Sequence, residues 1–374
     1  MSTDGFRSTR TFAVAAGLSL LPSFAGAQHY VRTDLVSNTA APPVMLDSNV
    51  RNAWGLVHGP STPWWLSNNA SGTSTLVNAA TVPVVIPSLV VNIPPPPGQV
   101  GSGTPTGMVF NGSPTDFLLA PGKQAIFLWA TEDGTIAGWN PGVKASDAVI
   151  EVDNSQKPSP DRGAVYKGAT IGEIRGQRFI FAANFRSRRI DVFDSAFNQV
   201  HVPHWAFHDD DIPRDFAPFN IQGIGPNLYV TYAKQDDTQH DDVPGAGLGF
   251  VDVFSTQGQL LARLQQGRWL NAPWGVTLAP AYFGEFSHCV LVGNFGDGTI
   301  AAFNPVTGRF LGNFLNPDGS TLAIDGLWGL GFGNGGASGP GNTLFFTAGP
   351  NDETNGVFGS LTPIPGELAD NDEP

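Results

Sequence analysis

The segment Lys234-Gln235-Asp236-Asp237-Thr238-Gln239-His240-Asp241-Asp242 places four carboxylates and one imidazole within seven residues. Hard cations favour such oxygen-rich clusters, and Ca²⁺ takes about six to eight oxygen ligands. Like charges this close resist full ionisation unless a cation or full hydration relieves them. The segment lacks the central glycine and terminal glutamate of a helix–loop–helix calcium site. Asp236, Asp237, His240 and Asp241 therefore read in two ways. They are ligands for Ca²⁺ or another divalent cation, or they form a solvated loop with its charges fanned outward.

A second group, His201, His204 and His208 followed by Asp209-Asp210-Asp211, has histidines three and four residues apart. On a helix that spacing would share a face and suit zinc. The stretch reads instead as strand plus loop, where His201 and His204 point to opposite sides. His208 and Asp209 stay as candidate ligands, because their loop is expected to approach the one carrying His240.

The third candidate site is a ring. Trp54, Thr106, Lys167, Gln222, Trp274 and Trp328 each precede one of six glycines: Gly55, Gly107, Gly168, Gly223, Gly275 and Gly329. The glycines recur at intervals of 52, 61, 55, 52 and 54 residues. If each marks one repeat of a closed ring, the three tryptophans fall side by side and Lys167 and Gln222 lie opposite. An aromatic wall facing a polar wall suits a flat, partly polar small molecule such as a sugar. The same tryptophans also read as packing wedges between repeats.

The elements that must position these residues are short strands. After each glycine comes a second, nearly all-apolar run, as in Trp64-Trp65-Leu66, Phe179-Ile180-Phe181-Ala182 and Leu344-Phe345-Phe346-Thr347. Such runs suit strands buried on both faces. A third run alternates, as in Ile190-Asp191-Val192-Phe193, which predicts a half-buried strand. A fourth follows a turn, as in Arg309-Phe310-Leu311-Gly312-Asn313-Phe314. The pattern predicts an all-β, six-bladed β-propeller with four-stranded blades. His29 to Val36 is expected to close the ring as the outer strand of the last blade, since an unpaired edge invites aggregation. Pro94 to Pro97 is expected to be a solvated spacer.

In a propeller the loops after the second strands open on one face. Here they are polar: Asn68-Asn69, Thr131-Glu132-Asp133, Asn184-Phe185-Arg186, Lys234 to Asp242, Asn294 to Asp297 and Asn351-Asp352-Glu353. Asn184 and Asn294 join the ring residues as candidate ligand contacts at the channel mouth.

Residues 1–27 read as an export leader. Arg7 and Arg10 precede a short apolar stretch, and Ala25-Gly26-Ala27 forms a cleavage site before Gln28. The expected organisation is leader 1–27, propeller 28–362 and acidic tail 363–374, in a secreted or periplasmic protein. No later stretch is apolar enough to span a bilayer, and a monomer is expected. The formal charge of −13 argues against nucleic acid and anionic membrane as partners. A small molecule or an extracytoplasmic protein is the expected partner. Cys289 stands alone in an apolar strand and reads as a buried, inert thiol. Neither a Gly-x-Ser-x-Gly elbow, a His-Glu-x-x-His pair nor a phosphate-binding glycine loop occurs.

The run Ala183-Asn184-Phe185-Arg186-Ser187-Arg188-Arg189-Ile190-Asp191-Val192-Phe193 resembles the core of an NHL-type repeat. Gly293-Asn294-Phe295-Gly296-Asp297-Gly298-Thr299-Ile300 is similar to it. With Trp54-Gly55-Leu56, Ala217 to Gln222, Gly249 to Phe254 and Thr347 to Glu353, nearly the whole chain resembles an uncharacterised family of exported bacterial propeller proteins. That resemblance implies the fold and no established activity, so a ligand-binding propeller is the leading reading. The alternative is a divalent-metal-dependent hydrolase or lyase of the gluconolactonase-like type. Propellers of that type hold a cation with a glutamate, asparagines and an aspartate, and Asn184, Asn294, Asp133 and Asp352 occupy comparable loops. No inner-strand glutamate matches that set.

Overall fold

The computed structural model describes residues 29–39 and 44–365. The expected leader and the acidic tail from residue 366 onward lie outside the described residues.

Six sheets form the ring. Blade 1 comprises Ala53–Val57, Trp64–Asn68, Thr73–Val77 and Val91–Asn92. Blade 2 comprises Pro105–Phe110, Phe127–Thr131, Thr135–Trp139 and Val149–Asp153. Blade 3 comprises Tyr166–Ile174, Gln177–Asn184, Arg189–Phe193 and Gln199–Val200. Blade 4 comprises Phe216–Ile224, Asn227–Lys234, Gly249–Ser255 and Leu260–Arg263. Blade 5 comprises Pro273–Leu278, Val290–Asn294, Ile300–Phe303 and Phe310–Asn313. In blade 6, Leu327–Phe332, Leu344–Ala348 and Val357–Pro363 are completed by the N-terminal strand Tyr30–Ser37.

That closure is the expected one. Tyr30–Ser37 runs antiparallel to Val357–Pro363, from Tyr30 opposite Pro363 to Ser37 opposite Val357. Tyr30 is fully buried and stacks on Phe314 of blade 5 with ring centroids 3.8 Å apart. Among the described residues no helix is long and apolar enough to cross a membrane.

Two local expectations change. The third strands are not half-buried: Thr135–Trp139 and Ile300–Phe303 are buried throughout, because each sheet is sandwiched between neighbours. Their polar members survive burial by pairing, as Asp191 does with Asn184, Tyr166 and Arg189. The proline run is partly packed, with Pro96 buried and Pro97 exposed. Cys289 is buried, and burial pushes its thiol up to about 11.

The inner strands correct the alignment of blade 4. Each carries a bulge near its start, between Tyr166 and Gly168, Pro218 and Asn220, and Pro273 and Gly275 in blades 3, 4 and 5. Matching the bulges puts Phe219, not Gln222, level with Trp54, Thr106, Lys167, Trp274 and Trp328. Asn220 then stands where the other five blades have glycine. At those glycines backbone approaches backbone. A Cβ on Gly55 would lie 2.6 Å from the Thr106 carbonyl oxygen, and one on Gly275 would lie 2.5 Å from that of Trp328. Asn220 instead bridges the gap, its Nδ2 donating to the Trp274 carbonyl at 2.8 Å. Gly223 keeps the even spacing of the sequence without occupying that level.

Candidate functional site

At the ring level the channel is filled. Trp54, Phe219, Trp274 and Trp328 are all at most 4% exposed. Trp54 stacks on Trp328 at 3.6 Å, and Trp328 stacks on Phe295 at 3.9 Å. Trp274 meets both indoles edge-on, at 6.1 Å from Trp54 and 5.7 Å from Trp328. The Trp274 indole N–H donates to the Lys167 carbonyl and that of Trp328 donates to Asn52 Oδ1, both at 2.9 Å. The three tryptophans do lie together, and their faces are taken up by other aromatic rings.

Lys167 caps this plug. It is 2% exposed, with Nζ 5.2 Å from the Trp54 ring centre and 5.8 Å from that of Phe185. The same Nζ lies 2.5 Å from Glu132 Oε1 and 3.0 Å from Asp241 Oδ1. Glu132 Oε2 accepts from Asn69 Nδ2 at 2.7 Å. Asn52 Nδ2 donates to Glu353 Oε2 at 2.5 Å. Blades 2 and 4 thus send carboxylates to blade 3's lysine, and blade 1 sends Asn69 to Glu132 and Asn52 to the Glu353 of blade 6.

The charges are unequal in environment. Burial works against the Lys167 ammonium, but Glu132 and Asp241 outweigh it and hold its pKa above the ordinary value. The hydrogen bond from His240 holds the Asp241 carboxyl well below the usual carboxylate range, with Lys167 assisting. Burial raises Asp242 to about 7, with Glu353 and Asp241 reinforcing it and Lys167 opposing. Asp242 Oδ2 is buried without a hydrogen-bond partner. Burial also raises Glu353 and Asp133, the latter against two hydrogen bonds from Thr104.

Glu132, His240 and Asp241 offer one ligand atom each, all within 4.8 Å of one another. One imidazole and two carboxylates suit a divalent cation. Lys167 already holds Glu132 Oε1 and Asp241 Oδ1, Asn69 holds Glu132 Oε2 and His240 Nδ1 contacts Asp241 Oδ1, so an ion would have to displace some of these hydrogen bonds.

Of the residues read as ligands from the sequence, His240 and Asp241 belong to this cluster and the others do not. The Asp236 carboxylate accepts from Thr238 Oγ1 and from the His240 and Asp241 amides, so it folds its own loop. Asp237 is exposed. Asp209 is drawn away from His240 by Arg263, whose guanidinium lies 2.5 Å from Asp209 and 2.7 Å from Asp252. His208 is exposed and contacts Asp210. Asn184 and Asn294 are buried hairpin locks: Asn184 Nδ2 donates to Asp191, and Asn294 Nδ2 to Thr299 Oγ1 and the Trp269 carbonyl. Gln222 lies beyond the plug, beside a space of about 20 Å³ lined by Gly55, Gly107, Gly275 and Gly329. That is room for roughly one water.

Glu132, Glu353, Asn52 and Asn69 do not stand out as ligands in the sequence, whereas Asp242 is the fourth carboxylate of the 236–242 cluster. The signal that could have found them was their place in or beside loops on the common face. Each loop taken singly is unremarkable in composition.

No family model matches the sequence. The uncharacterized protein R648 of Acanthamoeba polyphaga mimivirus is 30% identical over 344 residues, covering 87% of this chain and 78% of that protein. Protein L690 of the same virus is 31% identical over 352 residues, covering 87% and 84%. A third mimivirus protein, R640, is 34% identical over 206 residues, and the match spans 54% of this chain and 37% of R640. None of the three is described as bacterial or exported. Among solved structures, an auxiliary nutrient binding protein from Bacteroides ovatus superposes with a TM-score of 0.53 at 12% identity, covering 90% of this chain and 77% of that one. A streptogramin B lyase superposes at 0.50 and 12% identity, covering 90% and 98%. Identities this low speak to the shared propeller fold and leave the chemistry to the site.

Proposed function

The chain belongs to the family of the mimivirus proteins R648 and L690, and we propose that it is a binding propeller whose acidic channel mouth takes a divalent cation. One observation carries this reading: Glu132 and Asp241 pair with a single buried lysine, and the charges of Asp242 and Glu353 lie close enough to feel the same cluster. One ammonium leaves most of their charge uncompensated, and an unpaired carboxylate is costly to bury. An ion coordinated by Glu132, His240 and Asp241 would relieve that cost and present an open coordination position to a small molecule or protein partner. Because the tryptophan faces are covered, a ligand such as a sugar would contact this polar rim.

Calorimetric titration of the chelated full-length protein with Ca²⁺, Mn²⁺ and Zn²⁺ tests the reading. One ion should bind per chain, at least tenfold more weakly in Asp241→Asn and His240→Ala, with Asp237→Asn unchanged. Failure of all three ions to bind at millimolar concentration would sink it.

A second reading, a hydrolase or lyase, draws on Asp242. A carboxyl raised to about 7 can give or take a proton at neutral pH. Lactone and ester turnover that vanishes in Asp242→Asn while ion binding persists would favour it.

Export is proposed from the leader pattern alone. Chain recovered outside the cytoplasm of an expressing bacterium should begin at Gln28; an intact residue 1–27 segment there would refute cleavage.

A further inference from the structure

The protein carries 32 acidic side chains against 19 Lys and Arg, yet five of those cations line one pocket. Lys157 and Arg162 come from the segment leading into blade 3, and Arg186, Arg188 and Arg189 from its second hairpin. Gln239 of blade 4 closes the far side, and the space is about 360 Å³. We propose that this pocket binds a small anion carrying two or more negative charges, of phosphoryl or carboxylate type.

Uncompensated charge is the first support. Among the described residues, only Arg189 of the five forms an ion pair with a carboxylate, Asp191 at 2.8 Å, while Arg162 acts at longer range on its exposed neighbour Asp161. Arg186 Nη1 donates to the Gly163 carbonyl at 3.0 Å, and Arg188 Nη1 to the Arg214 carbonyl. Carbonyls orient a guanidinium without neutralising it. In a chain with surplus carboxylates, converging cations left without them repel one another until an anion enters. Planar guanidinium forks match the paired oxygens of carboxylates and phosphates.

Backbone conformation is the second support. Arg188 has φ 57°, in the left-handed region that side chains avoid. In blades 1 and 5 the equivalent place, four residues after Asn68 and Asn294, holds Gly72 and Gly298 with φ 63° and 73°. Blade 3 places an arginine where its neighbours use glycine, and that arginine borders the pocket while its Nη1 reaches to the Arg214 carbonyl beside it. Strain of this kind collects at binding sites.

Pocket size sets the ligand class: a space of this volume suits a small molecule. The inference does not rest on the channel-mouth reading.

Pyrophosphate and citrate, titrated separately into the full chain at low ionic strength, provide the test. At least one should bind with a stoichiometry of about one, and binding should weaken steeply with added salt. Stronger binding of pyrophosphate would indicate a phosphoryl ligand, and stronger binding of citrate a carboxylate ligand. Arg188→Gly restores the residue used by blades 1 and 5, so it should bind at least tenfold more weakly while its thermal midpoint holds or rises. Arg162→Gln/Arg186→Gln should also lose at least tenfold. The proposal is overturned if neither anion binds at millimolar concentration, or if these variants bind like the wild type.

Discussion

Lys167 and Asp241, 74 residues apart in sequence, meet with Nζ 3.0 Å from Oδ1 across the boundary between the aromatic plug and solvent. Lys167 is 2% exposed and Asp241 66% exposed, so the two partners do not share the bond equally. The buried ammonium depends on its carboxylates, Glu132 above all, while Asp241 remains largely hydrated.

That asymmetry predicts unequal variants. Lys167→Met leaves Glu132 without its cation and should cost about 3–5 kcal/mol, the usual penalty for breaking a buried pair. Asp241→Asn should cost under about 1 kcal/mol, as for exposed ion pairs. Urea unfolding midpoints at pH 7 compare them, and equal losses would contradict the burial difference.

Asp242 predicts a pH dependence. Its carboxyl ionises near 3.8 when unfolded and at about 7 when folded. Between those values the folded state holds more protons, so this group lowers stability as pH rises from about 4 to about 7. Thermal midpoints of Asp242→Asn and wild type, in chelator, should nearly coincide at pH 4. By pH 7 to 8 the variant should be the more stable. A gap that stays constant across that range would show that Asp242 does not carry the shift.

Two glycine substitutions test the register of blade 4. In Gly107→Ala the new Cβ would lie 2.6 Å from the Ala169 amide nitrogen and 2.7 Å from Gly168 Cα. Backbone cannot easily yield there, so a loss of about 1–3 kcal/mol or more is expected. Gly223→Ala meets nothing closer than Thr170 Oγ1 at 3.3 Å and should change stability by under about 1 kcal/mol. Comparable losses would restore Gly223 to the ring.

Trp328→Ala should unseat the plug. It removes stacks on Trp54 and Phe295 and leaves Asn52 Oδ1 without its indole donor. Large-to-small changes at such sites cost about 3–5 kcal/mol. Trp205, 53% exposed, provides the contrast, and Trp205→Ala should shift the denaturation midpoint very little. Similar shifts for the two would mean that the plug adds no stability.

Much of the scaffold was legible before the fold was seen. Apolar second strands, turn residues and a repeated glycine reported the blades, and the alternating segment His29 to Val36 reported the closing strand. These signals act over a few residues, so local chemistry carries them. Blade 4 misled because Gly223 falls at the expected interval, while the true level is set by a bulge that exists only once Phe216–Ile224 pairs with Asn227–Lys234. His208 and Asp209 misled for a related reason. Nothing near them in sequence announces that Arg263 will take Asp209.

The sequence by itself determined six blades, their strand order and the face on which the polar loops open, because strand periodicity and turn chemistry are local properties. Only the tertiary structure decided that Glu132 and Asp241 share one lysine, that Glu353 is held by Asn52 beside them, that Asp242 is raised to about 7, and that the tryptophans cover one another. Coulomb interaction and desolvation depend on separations of a few ångströms through space. Between residues as far apart in the chain as Glu132 and Glu353, ring closure sets those separations.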